Sequence, residues 1–234
     1  MKRLLVLSLT LACLSVATSA FADPIPGIFN TGVNNSNALL NPGDADGHYG
    51  GFSTKTDPAW ASPGSVGANG STWITHFNGN GVGGTNSPVP PPGAFPQDTV
   101  FTMNFDLTGF DKNTANLSFK FMVDNNLDIK LNGNSIGGTP GGLGAGSQAA
   151  FYTTLSALVS VNPAALLAGL NTLTFTVRNN EFIEGLLVSI VSNSVNRPQG
   201  APDPTPEPTS IALWAVFGGL GTVASRWCRK SRKA

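Results

Sequence analysis

The sequence predicts an all-β fold, an antiparallel β-sandwich or jelly roll, flanked by an N-terminal signal helix and a C-terminal transmembrane helix. Three observations carry this expectation. Several segments of the middle alternate apolar and polar residues with period two, as half-buried strands do. Glycine (28) and proline (17) are frequent, and no long amphipathic helix interrupts the middle. Both chain ends are apolar runs next to basic residues and free of acids.

The leader comes first. Met1-Lys2-Arg3 is a positive start, an apolar run follows from Leu4 to about Val16, and small residues end in Ala20-Phe21-Ala22. That order is a secretory signal peptide over residues 1–22, to be cut by signal peptidase before Asp23. A lipoprotein anchored through Cys13 fits poorly, because Thr10 stands where a large aliphatic residue is wanted.

The ectodomain, residues 23–196, holds the strands. Residues 71–77 make a plausible early one. In residues 100–107, Phe101, Met103, Phe105 and Leu107 share a face, and Thr102, Asn104 and Asp106 take the other. In 116–123, Leu117, Phe119, Phe121 and Val123 point inward, with Met122 ambiguous. Leu127, Ile129 and Leu131 alternate with Asp128 and Lys130; Leu173, Phe175 and Val177 alternate with threonines; Leu186, Val188 and Ile190 close the series. Asn132-Gly133 signals a tight turn with positive φ. One short helix is expected, with Asn162 as N-cap, Pro163 at N1 and Gly169 at the C-terminal cap. Residues 79–97 and 133–147 read as loops longer than structureless connections usually are.

The far end has three parts. Residues 197–209, with prolines at 198, 202, 204, 206 and 208, form a stiff extended linker. Residues 210–227 are the expected transmembrane helix. Its uncharged core, 211–224, would span roughly 21 Å at about 1.5 Å per residue, short against a hydrocarbon core of about 30 Å. Trp227 and a snorkelling Arg226 suit the interface. Residues 228–234 are a basic cytoplasmic tail; with Arg226, Arg229, Lys230, Arg232 and Lys233 stop transfer by the positive-inside rule.

The triplet Pro206-Glu207-Pro208, then one apolar helix, then an Arg-rich tail closing the chain resembles the PEP-CTERM sorting signal over residues 205–234. The resemblance implies processing by an exosortase-like membrane enzyme and association with extracellular polysaccharide. The expected location is an inner-membrane-anchored precursor, then the cell surface or extracellular matrix. A plain C-terminal anchor is the alternative. Thr205 departs from the valine common in that family. A second, looser resemblance links Val123-Asp124-Asn125, Ile129–Gly133 and the run from Gly169 to Phe175 to galactose-binding-like jelly rolls, whose members include carbohydrate-binding modules and purely structural domains.

Charge narrows the function. The formal net charge of +0 hides an acidic middle: residues 23–208 hold all 13 acids against six bases, a net of −7. That excludes a basic nucleic-acid binder. Cys13 and Cys228 lie outside the exported domain, which therefore folds without disulfides. Cys228 is a lipidation site or, better, a free juxtamembrane thiol.

Candidate chemistry is sparse. Asp44-Ala45-Asp46-Gly47 suits either an oxygen-ligated structural calcium or an acidic turn; no other cofactor is indicated. His48 and His76 are the only histidines and belong to no metal-ligand motif. No nucleophile elbow or phosphate loop occurs, and Glu181 and Glu184 are unsupported as a glycosidase pair, so an enzyme is not expected. A hydrolase would need His48 gathered with aspartates in a cleft. For sugar binding, Tyr49, Trp60, Trp73 and Tyr152 are the aromatic candidates, with Asp124, Asn125, Asn179, Asn180 and Glu181 as polar partners. Against these, Trp73 alternates as a core residue does, and asparagine pairs favour turns. The expected function is an exported surface or matrix protein whose jelly roll binds polysaccharide, or else is structural with no specific ligand.

Overall fold

The computed structural model describes residues 22–55, 57–76, 97–144, 151–180 and 184–198. The expected signal and transmembrane helices, the Pro206-Glu207-Pro208 motif and the basic tail lie outside these residues. The chain divides into two units after Arg197, and every described residue except Pro198 is in the first. No helix among the described residues is long and apolar enough to cross a membrane.

Ten strands are described: β1 Ala45–Asp46, β2 Phe52–Thr54, β3 Ile74–Thr75, β4 Gln97–Asp106, β5 Asp111–Asp124, β6 Asn126–Leu131, β7 Asn134–Gly138, β8 Val159–Ser160, β9 Leu170–Asn179 and β10 Gly185–Asn196. They form two antiparallel sheets, ordered β1-β2-β3-β10-β5-β8 and β4-β9-β6-β7. The alternating residues face one another between them: Phe101, Met103 and Phe105 of β4, Leu117, Phe119 and Phe121 of β5, Phe175 of β9 and Val188 of β10 are all buried in one cluster. β4 and β9 pair without a break from Gln97↔Asn179 to Asp106↔Leu170, so the threonines of β9 fall together on the outward face.

β5 and β10 are the exceptions to simple alternation. Met122 and Leu187 face away from the main core and are buried against Trp60, Trp73 and Ala68 in a second cluster. Residues 57–73 therefore cap the outer side of the larger sheet, and the ambiguity of Met122 resolves as burial on both faces. In β10 the ladder slips between Ile190 and Ser192. Val191 is extruded and 57 % exposed. This bulge moves the inward phase from even to odd positions, which lets Val195 join the core.

β3 reaches β10 only at Leu186. Beyond it, residues 23–31 cover the open edge. Thr31 donates its N–H to the Val188 carbonyl at 3.1 Å, Ile190 N–H donates to Asn30 Oδ1 at 2.7 Å, and Ile25 N–H to Asn193 Oδ1 at 2.8 Å. Asp23 and Val195 exchange both backbone bonds at 2.8 Å. An otherwise bare strand edge is closed by irregular chain.

Three expectations are corrected. The loop at 133–147 begins as β7, because Asn132 (φ 50°) and Gly133 (φ 83°) turn the chain back onto β6. The helix at 162–169 is a single 3₁₀ turn, Pro163–Ala165, capped by Asn162 Oδ1 on Ala164 N–H at 3.0 Å. Leu166 leaves it extended and is buried in the core, a placement a continuing helix would forfeit. Of the strand at 71–77, Ile74–Thr75 is strand, Trp73 covers the outer face of the sheet, and Phe77 lies outside the described residues.

Candidate functional site

The polar residues expected to share a rim converge at one end of the sandwich. β5 belongs to one sheet and β6 to the other, so Asp124-Asn125-Asn126 is the corner where the chain crosses between them. A corner buried on all sides must satisfy its polar groups internally. Asp124 Oδ2 accepts the Trp60 indole N–H at 2.8 Å, and Asp124 Oδ1 accepts from the Asn125 amide. Asn125 Oδ1 in turn accepts the Asn180 N–H at 2.8 Å, joining the corner to the end of β9. Asn179 is buried beside it.

Glu184 completes the cluster from the start of β10. Its side chain is fully buried. Oε2 accepts the Thr99 hydroxyl of β4 at 2.7 Å, Oε1 accepts the His76 N–H at 3.3 Å, and its carbonyl accepts the Thr75 hydroxyl at 2.7 Å. One residue thereby bonds strands of both sheets. Burial pushes its carboxyl up to about 7, and the charge of Asp124 adds to the rise, while the bonds from Thr99 and His76 oppose it. Next to it, Gly185 has no side chain for a steric reason: a Cβ there would lie 2.5 Å from the Trp60 ring.

The aromatic platform expected of Tyr49 and Trp60 is not formed by them. Trp60 stacks on Trp73 with ring centroids 4.6 Å apart and is 6 % exposed. Tyr49 lies in the core, its hydroxyl donating to the Phe29 carbonyl at 2.8 Å. Burial, with the Asp46 charge behind it, holds its phenol well above the usual range. Of the expected polar partners, Asp124, Asn125, Asn179 and Asn180 are brought together; Glu181 lies outside the described residues.

Asp44 and Asp46 are each taken up by different protein donors. Asp46 Oδ2 accepts the Gly32 N–H at 2.6 Å and Oδ1 the His48 N–H at 2.9 Å, capping the turn Gly47–Tyr49. Burial raises its pKa although both bonds pull it down. Asp44 Oδ2 accepts from the Asn41 backbone and amide at 2.9 and 3.2 Å. Among the described residues no group of three or more His, Cys, Asp or Glu could hold a metal. His48 stacks on Phe29 at 3.6 Å, and His76 meets Phe52 edge-on.

Glu184 and Thr99 are not legible as partners, since each reads locally as a strand-end polar residue. The leader-junction residues behave differently: Ala22 is exposed, and Asp23 is bound to Val195. Ala20 and all sorting-motif and tail residues lie outside the described set. A scan against models of known protein families gives no match, and neither does a search of curated proteins.

Proposed function

We propose that the chain is an exported cell-surface or extracellular-matrix protein whose sandwich is a structural module. In this reading signal peptidase removes residues 1–22, and the C-terminal helix holds the precursor in the inner membrane. An exosortase-like enzyme then processes it at Pro206-Glu207-Pro208. What supports the sorting is the order of linker, triplet, apolar run and basic tail. What supports a structural module is the packing of Tyr49 and Trp60, which leaves neither ring face to a sugar. The acceptors of Asp124, Asn125 and Glu184 serve protein donors that tie the two sheets together. No catalytic step and no calcium ion is part of this reading.

A second reading, polysaccharide binding, is favoured by Asn180. Its Nδ2 is buried and has no hydrogen-bond partner among the described residues, and it sits beside the Asp124–Asn125 corner. Mature protein recovered from the medium and applied to a glycan array separates the two. Uniformly flat binding supports the structural module. Selective binding that Asn180→Ala abolishes establishes the second reading.

A further inference from the structure

The first residues after the expected leader are part of the folded domain. Asp23 exchanges both of its backbone hydrogen bonds with Val195 at 2.8 Å. Its carboxylate accepts Arg197 Nε at 2.9 Å, and the Arg197 guanidinium lies 5.3 Å over the Phe110 ring. Two residues on, Ile25 is buried in the core, and its N–H is taken by Asn193. Ala22, immediately before this clamp, is exposed.

A peptidase reads the residues flanking a scissile bond as an extended strand and needs their backbone groups for itself. In the folded domain the N–H and C=O of Asp23 belong to Val195. We propose that docking of residues 23–25 onto β10 closes the Ala22–Asp23 bond to the leader peptidase, so that leader removal is confined to the interval before β10 is in place. This rests on the reading of residues 1–22 as a leader.

The order of the chain supplies that interval. Arg197 follows Asp23 by 174 residues. At about 5–20 residues per second of synthesis, that separation is roughly 10–35 s. The cleavage site is exported early and its covering strand last. A chain that completes the sandwich with its leader attached keeps the leader, because the cover on Asp23 is then in place.

The test uses the full-length precursor in detergent micelles with purified bacterial signal peptidase. Three samples are compared: native wild type, wild type diluted from urea into the reaction, and native Asn193→Ala/Arg197→Ala. The expected result is cutting between Ala22 and Asp23, read by mass, at least about tenfold slower in native wild type than in the other two, because cleavage follows the open population. Equal rates for native and urea-diluted wild type overturn the proposal, as does a folded double variant that resists like wild type. If circular dichroism finds the double variant unfolded, it counts with the urea-diluted sample and the native wild-type rate decides. No cutting of the urea-diluted chain overturns the leader reading itself.

Discussion

At the scale of single residues, Glu184 sets a pH dependence opposite to that of most carboxylates. Its folded pKa, about 7, lies above the ordinary 4.5. Between those values the folded state holds a proton that the unfolded chain has lost, so stability falls as pH rises through this window. It is fully present below 4.5 and lost above 7. A shift of this size corresponds to something on the order of 3 kcal/mol. Asp46, also raised, adds in the same direction. Asp98, lowered by Arg178, acts oppositely and only in more acid solution. Thermal melts should therefore show a more stable protein at pH 5 than at pH 8. Glu184→Gln should flatten that difference chiefly by raising the melting temperature at pH 8; an unchanged pH profile would remove the role given to Glu184. Asp46 makes the second residue-scale case. Asp46→Ala leaves the buried Gly32 N–H without its acceptor, a loss of about 1–3 kcal/mol. Because both carboxylate oxygens already accept from backbone, calcium and chelator should leave the wild-type melting temperature alike. A calcium-dependent rise would reassign the loop.

At the scale of elements, the legible part of the fold is the part with an unbroken period. β4, β6 and β9 bury one face each, so their apolar residues recur at every second position and could be read directly. β10 was legible to Ile190 and no further, because the bulge at Val191 reverses the phase and hides Val195 from any period-two pattern. β1, β2, β3 and β8, of two or three residues each, are too short to carry a period and exist only through their partners. The cover by residues 23–31 has no pattern at all: Thr31, Asn30 and Ile25 bond β10 through a mixture of backbone and side-chain groups. The candidate site was legible in composition and not in arrangement. Asp124, Asn125, Asn179 and Asn180 were singled out as strand-end polar residues, and they do meet. What the sequence could not reveal is that the outer layer of Trp60 and Trp73 would cover Asp124, since that depends on residues 57–73 folding back over Met122 and Leu187. Gly185 is the joint of that layer. Gly185→Ala would drive a methyl into the Trp60 ring, and overpacking of this kind costs about 1–3 kcal/mol. The expected result is a lower melting temperature together with a shifted indole fluorescence. A variant as stable as wild type would mean that Trp60 moves aside freely.

At the scale of the whole molecule, the two closures of the sandwich account for its independence from disulfides. Small exported domains often rely on such bonds, yet residues 23–208 contain no cysteine. Here the far ends of the domain are joined instead by backbone pairing of Asp23 with Val195 and by the Arg197–Asp23 ion pair, which is half exposed and by itself worth little. The buried bonds of Glu184 join the two sheets at Thr99 and Thr75. The consequence is direct. Protein processed at both ends should melt at the same temperature with and without reductant, whereas removal of residues 23–25 should lower that temperature and expose the β10 edge from Asn193 to Val195, with aggregation as the visible result. A truncated chain that melts with wild type and stays monomeric would show that β10 needs no cover. Intact mass measured on the same released protein checks the processing. A species beginning at Asp23 and lacking the apolar run at 211–224 is expected, and full-length tails on released protein would replace sorting by a plain anchor.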